Sequence, residues 1–208
     1  MKYLLMPLAA TLLLFSSCKK DSDNPTQPTG ACNQNPAKIG SVYTMKLLQN
    51  GQTYTQTVTG DTTVNGLKYL RIHTNTGGQT GVGYLGVDAS GQVWQITPPA
   101  GDLGSTNMIM VQTAKPAGTT WSYLQMSQSA PGIVDYKYTM TQVSTTETIT
   151  VAGKSYSNGI KVKVRLDVTY QGTPMSSAET GFTWFCGLGI GGSEANGAPY
   201  SQLINFVY

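Results

Sequence analysis

From Ile39 onward, hydrophobic and polar residues alternate with a period of two, in segments rich in Thr, Val, Tyr and Ile separated by glycine-bearing turns. The clearest segment is Lys161 to Tyr170. Val162, Val164, Leu166, Val168 and Tyr170 fall on one face, and Lys161, Lys163, Arg165, Asp167 and Thr169 on the other. A strand divided in this way packs one face on a core and leaves the other wet, as antiparallel sheets do. Asn50-Gly51, Asn65-Gly66 and Asn158-Gly159 supply the dipeptide that most readily takes two positive φ angles, so each predicts a type I′ hairpin turn. Asp88-Ala-Ser-Gly91 predicts a longer hairpin loop, Met108 to Val111 a further buried strand, and Tyr200 to Val207 the last strand. No segment carries the 3.6-residue period of an amphipathic helix.

A second pattern is internal repetition. Gly40-Ser-Val-Tyr43 recurs as Gly118-Thr-Thr-Trp121, Val64-Asn-Gly-Leu-Lys-Tyr69 as Val151-Ala-Gly-Lys-Ser-Tyr156, and Gly83-Tyr84 as Gly181-Phe182. Neither copy has an obvious core of its own. The expectation is therefore a single all-β domain over residues 38–208, with antiparallel meanders in two pseudo-repeats, about 38–97 and 116–192, forming a β-sandwich or a curved half-barrel.

Ahead of this domain the pattern changes. Leu4 to Phe15 is an apolar run preceded by Lys2 and interrupted by Pro7. It falls short of the about 20 residues that cross a hydrocarbon core, and residues 1–17 read as a secretory signal peptide. Ser16-Ser17-Cys18 resembles the end of a bacterial lipobox, with Phe15 in the place, three before the cysteine, where Leu or another aliphatic residue is usual, and Leu14 beside it. That resemblance makes Cys18 the diacylated mature N-terminus. Residues 18–37 are built from Lys, Asp, Asn, Pro, Thr and Gln, a composition that cannot bury a core and reads as a flexible tether. Lys19, rather than Asp, follows the cysteine, which favours the outer membrane and leaves the periplasmic or cell-surface leaflet open. With Cys18 lipidated, Cys32 and Cys186 remain as an even pair in an oxidising compartment, where they are expected to form a disulfide.

Gly-x-x-Trp121, Val151-x-Gly-x-x-Tyr156 and the late Phe185-Cys-Gly-Leu-Gly-Ile190 segment together resemble Bacteroidota-type outer-membrane lipoproteins with a lipobox-like signal peptide. Such proteins are similar, at the level of fold, to the curved half-barrels of Lol-type lipoprotein carriers, whose concave face holds acyl chains. Those carriers lay helices across that face, and the sequence here offers none. Fold alone does not assign the carrier activity.

The available chemistry is sparse. Charged residues make up 11% of the 208, against about a quarter in an ordinary soluble domain, and the net charge is +3. This balance argues against an electrostatic nucleic-acid binder and against a coiled coil. His73 is the only histidine, sits in a strand pattern and has no G-x-S-x-G serine to serve, so Ser-His-Asp chemistry has no footing. Zinc would have only His73, Cys32 and Cys186 as ligands, so neither a metal nor another cofactor is expected. Asp61, Asp88, Asp102, Asp135, Glu147, Asp167, Glu179 and Glu194 are scattered singly, and a hydrolase would need two of them to meet in a cleft. Gly187-Leu-Gly-Ile-Gly-Gly192 matches G-x-G-x-x-G in form, but Ser193 to Pro199 is not a helix start and the glycines read as a bend or bulge. Aromatic residues are the remaining binding resource. Trp121 with Tyr123, Tyr136 with Tyr138, and Phe182 with Trp184 each project from one face of a strand, with Tyr136 and Tyr138 the preferred exposed pair. The resulting expectation is a non-enzymatic module, held to the membrane by the lipid on Cys18. It binds an apolar ligand or a glycan or, alternatively, pairs with an envelope protein partner.

Overall fold

The computed structural model describes residues 37–97, 106–129 and 132–208. These residues form twelve strands and no helix: β1 (Val42–Leu47), β2 (Thr53–Val64), β3 (Leu67–Thr76), β4 (Gln79–Val87), β5 (Gln92–Thr97), β6 (Thr106–Gln112), β7 (Thr120–Ser129), β8 (Gly132–Val151), β9 (Lys154–Tyr170), β10 (Thr173–Phe185), β11 (Gly189–Ala195) and β12 (Ala198–Val207). Each strand pairs antiparallel with the next in the chain except at one junction. β6 and β7 share no ladder, and β12 pairs with β1, so one sheet runs β6-β5-β4-β3-β2-β1-β12-β11-β10-β9-β8-β7.

This sheet curls on itself into a nearly closed barrel, as the composition of its core shows. One buried cluster joins Leu85, Val87, Val93, Met108 and Val111 of the first half to Met140, Ile160, Val162, Val164 and Trp184 of the second. The other joins Tyr43, Met45, Val58 and Leu70 to Val151, Phe185, Leu188 and Leu203. Neither half buries its apolar face without the other. Met108 and Val111 are both buried although three residues apart, because the β5–β6 register shifts between Val93 and Trp94 and lets Met110 bulge.

The echoed motifs occupy matching places. Gly40 N–H donates to Val58 C=O at 2.8 Å and Val58 N–H to Ser41 C=O at 2.9 Å. In the second half, Gly118 N–H donates to Gln142 C=O at 2.7 Å and Gln142 N–H to Thr119 C=O at 2.9 Å. The Asn65-Gly66 turn, with φ of 51° and 77°, is matched by Ala152-Gly153 with 49° and 80°. In each half one further strand, β6 or β12, follows the repeated segment.

Two turn assignments need correction. Asn50-Gly51 is not a two-residue turn. Only Gly51 has positive φ, in a four-residue loop closed by Leu47 N–H donating to Gln52 C=O at 2.7 Å. Asn158 does take φ of 55°, but inside β9, where the β8–β9 register is irregular. Gly159 beside it serves packing rather than a turn. A Cβ there would overlap the Phe185 ring, and one at Gly191 would lie 2.6 Å from the same ring. Phe185, 1% exposed, is thus laid over glycines of both neighbouring strands. That contact explains two glycines that local pattern cannot.

Gly159→Ala is expected to lower unfolding stability by about 1–3 kcal/mol through overpacking. Gly81→Ala, whose Cβ would meet nothing within 4 Å, should stay within about 0.5 kcal/mol of the parent. Urea denaturation of the two variants side by side reads the difference.

Candidate functional site

At the centre of the barrel, between its two halves, lies a half-open cavity of about 220 Å³. Its apolar wall comes from Met45, Leu85, Val93, Met110, Phe182, Trp184 and Ile190. Beside these, with Tyr54 paired to Met45 and Ser193 to Phe182 across neighbouring strands, stands a polar set that includes Tyr54, Ser193 and Ser201. The Tyr54 hydroxyl donates to Ser201 Oγ at 3.3 Å, and the Ser193 and Ser201 hydroxyls share a hydrogen bond at 2.6 Å. Ser201 is 3% exposed, so this hydroxyl chain is an interior feature that strand pairing places against an apolar surface. Gln56, which also lines the cavity, donates through Nε2 to Thr74 Oγ1 at 3.3 Å.

Of the aromatic residues singled out by spacing, Trp184 lines this cavity and is 1% exposed, with its indole N–H buried and unpaired. Trp121 and Tyr123 have a different task. Both are half-buried against the first core cluster, and both reach the edge of β6. Trp121 Nε1 donates to Ile109 C=O at 2.8 Å, and Ile109 N–H donates to Tyr123 Oη at 2.9 Å. These two side chains stand in for a backbone ladder between β6 and β7. Tyr138 and Tyr136 are half-buried rather than an exposed platform. Burial, with Tyr136 as a neighbour, pushes the Tyr138 phenol above its ordinary pKa. Of the five residues, Trp184 is the one that lines this cavity, and Trp121, Tyr123 and Tyr138 pack on the core cluster that contains it.

Cys186 is disulfide-bonded in the turn between β10 and β11, while the expected lipidation site Cys18 and the expected disulfide partner Cys32 lie outside the described residues. Gly187 of the G-x-G-x-x-G match sits in this hairpin turn with φ of 73°, and Gly189, the first residue of β11, has φ of 94°. His73 is half-buried in β3, and its Nε2 has no hydrogen-bond partner. Four carboxylates are engaged with cations: Asp61 with Lys68, Glu194 with Lys161, Glu179 with Lys163, and Asp167 with Arg165, at 2.6 to 2.9 Å. Among the described residues, no group of three His, Cys, Asp or Glu side chains gathers to hold a metal, and no helix is long and apolar enough to cross a membrane.

A second concavity, of about 700 Å³ and more open, went unnoticed in the sequence. It lies by the Asn65-Gly66 turn and the Asp88–Gly91 loop, on the face of the sheet opposite Leu70 and Leu85. Register puts Tyr69, Gly86 and Trp94 side by side on three strands. The only sequence signal for it is Asp88 six residues before Trp94, an Asx-type turn that leads into an aromatic strand.

No protein-family model matches the chain, and no curated protein matches it in sequence. Solved structures do. A candidate lipoprotein from Parabacteroides distasonis is 11% identical, covers 87% of this chain and 100% of its own, and superposes with a TM-score of 0.53. A candidate exported protein with a YmcC-like fold from Bacteroides fragilis is 12% identical over 85% of this chain and 99% of its own, with a TM-score of 0.46. The hypothetical lipoprotein YmcC from Escherichia coli is 13% identical over 83% of this chain and 86% of its own, with a TM-score of 0.37. At such identities the likeness is one of fold, and the first of these structures carries it.

Tyr123→Phe leaves the Ile109 N–H without its acceptor and is expected to cost about 1–2 kcal/mol. Hydrogen exchange at the Ile109 amide should accelerate in this variant, while the Leu70 amide, deep in the sheet, keeps its protection relative to global unfolding.

Proposed function

We propose that the chain is an exported lipoprotein, held at the outer membrane through a diacylated Cys18, and that its barrel binds a small apolar or amphiphilic ligand in the central cavity. Support for the anchor comes from the signal-like leader, the Ser16-Ser17-Cys18 segment and the fold shared with the Parabacteroides distasonis candidate lipoprotein. The cavity carries the ligand reading. A half-open, partly polar space is filled by solvent when free, so it costs little in stability, and water set against the Met45, Val93, Phe182 and Trp184 surfaces is readily displaced by an apolar group. Core packing ordinarily fills such a space with side chains, and its retention is reasonable where a ligand uses it.

Size limits the occupant. An engineered apolar cavity of about 150 Å³ admits benzene, and drug-sized ligands use about 300–1,000 Å³. A cavity of about 220 Å³ therefore suits one ring or a short alkyl tail. The Tyr54–Ser201–Ser193 hydroxyls offer it one polar attachment, and the half-open mouth lets the rest of a longer amphiphile remain outside. Methyl NMR tests this directly. Toluene, indole or octanoate at millimolar concentration is expected to shift the Met45 and Met110 methyl signals and spare those of Met126 and Met175, which are 63% and 66% exposed. Ile190→Phe should abolish the shifts, and unmoved Met45 and Met110 signals with all three probes would overturn the reading.

A second reading, pairing with an envelope protein, is favoured by β7. It is an edge strand with no charged residue, and its Leu124 and Met126 are 62% and 63% exposed. Edge strands are ordinarily blunted by charge, proline or a bulge. A photo-crosslinker at position 124 should give a discrete adduct in native membranes, lost on Met126→Lys. Absence of any adduct counts against the partner.

A further inference from the structure

The cleft beside the Asn65-Gly66 turn is built differently from the central cavity. Its aromatic side chains are held in place by their own polar atoms. Trp94 Nε1 donates to Asp88 Oδ2 at 2.8 Å, while Asp88 Oδ1 accepts from Ser90 N–H at 2.9 Å, Ser90 Oγ–H at 2.6 Å and Gln92 N–H at 2.9 Å. Burial opposes ionisation of Asp88, but these hydrogen bonds outweigh it and hold the carboxyl below its ordinary pKa. Tyr69 Oη donates to Asn107 Oδ1 at 2.9 Å. The Tyr69 ring lies against Gly86, where a Cβ would come within 3.1 Å of the ring and 2.9 Å of Lys68 C=O. A side chain at position 86 would crowd the aromatic floor that Tyr69 and Trp94 flank.

The echoed motif in the second half does not reproduce this arrangement. Tyr156, the counterpart of Tyr69, packs against the second core cluster. The second-half hairpin that follows the Gly181-Phe182 echo turns at the disulfide-bonded Cys186 and has no aspartate–tryptophan pair. The fold is thus satisfied without the cleft, and the Asp88–Trp94 and Tyr69–Asn107 pairs are additions to it.

From this geometry we infer that the Tyr69–Trp94 cleft is a binding site for a neutral glycan. The pinned, half-buried Trp94 indole gives rigid stacking surface at low entropic cost, with the Tyr69 ring, 1% exposed, buried beside it. Its volume of about 700 Å³ lies within the about 300–1,000 Å³ of ligand-sized pockets. The rim is polar, with Asn65, Lys68 and the exposed Asn107 placed to meet hydroxyl groups. Neutrality follows from the charges: Asp88 is saturated with hydrogen bonds, and Lys68 is paired with Asp61 at 2.7 Å. Neither stands without a partner, although the Lys68 side chain is 61% exposed and its ammonium still meets solvent. This site is separate from the central cavity and does not depend on it.

The experiment uses the three indole N–H resonances, from Trp94, Trp121 and Trp184, of the purified full chain. Maltohexaose, xylohexaose, cellohexaose and chitohexaose are titrated to millimolar concentration, with polygalacturonate and toluene as contrasts. At least one neutral hexaose is expected to shift the Trp94 signal in a saturable way and leave Trp121 and Trp184 in place. Trp94→Ala should weaken binding at least tenfold, measured by calorimetry. Asp88→Asn, which frees the indole while keeping a side chain of the same shape, should weaken it several-fold. Three outcomes overturn the inference: no Trp94 shift with any hexaose, tighter binding of polygalacturonate than of every neutral chain, or a response to toluene alone. Because the Met45 and Met110 methyl signals report the central cavity, the two sites can fail independently.

Discussion

Pairing between the first strand and the last turns two six-stranded meanders into one sheet. Without the β1–β12 ladder, each meander would carry an apolar face with nothing to cover it, since both core clusters draw on both halves. Loop-closure cost rises only slowly with length, so bringing the two ends of a long chain together is not prohibitive. The return is hydrophobic: Met45 and Leu203, opposite each other on β1 and β12, are 2% and 0% exposed. The cavity inherits this dependence. Met45 lines it from β1, Ser201 from β12, and Trp184 from β10. Loss of the ladder would dismantle fold and cavity together.

Internal repetition makes the β6–β7 junction the counterpart of β12–β1, yet no ladder forms there. The difference is traceable to side chains. Where the first half has Val58 opposite its entry loop, the second has Gln142, 0% exposed, whose Nε2 donates to Lys115 C=O and ties down the β6–β7 connection. Past this clamp, Trp121 and Tyr123 reach Ile109 with their polar atoms, in place of the strand-to-strand bonding that Tyr43 and Met45 make at the corresponding positions of β1. An edge satisfied by two side chains is weaker than one satisfied by a ladder of backbone groups, and local opening should begin at this seam.

What could be read from the sequence was what short-range physics decides. Alternation in Lys161 to Tyr170 gave the strand and its faces, and Asn65-Gly66 gave its turn, because periodicity and positive φ are properties of a few adjacent residues. Asn158-Gly159 misled because the same dipeptide also suits a bulge, and only the distant Phe185 ring shows which applies. Aromatic spacing was ambiguous for a related reason. A period of two shows that Trp121 and Tyr123 share a face, but the neighbour that claims their polar atoms is Ile109, across the seam. The Tyr69–Trp94 cleft was hidden further still, since it depends on the register of three strands meeting at Gly86.

Two rings laid over glycines show how related halves can diverge. Phe185 covers Gly159 and Gly191 and becomes part of a closed core. Tyr69 lies against Gly86, but its hydroxyl is drawn to Asn107 and it borders open space instead. Both rings are almost wholly buried, at 1% exposure, so burial alone does not separate a structural aromatic from one that shapes a cleft. The difference lies in what stands beside the ring. Phe185 has apolar neighbours such as Leu188 and Val151, whereas Tyr69 has Trp94, an aromatic held at its one polar atom by Asp88. A ring whose polar tip is anchored keeps its faces apolar and its orientation fixed, and a stacking site needs these together with an accessible face, which half-buried Trp94 retains and Tyr69 does not. In the second half the same backbone scaffold was closed, and in the first it was left open.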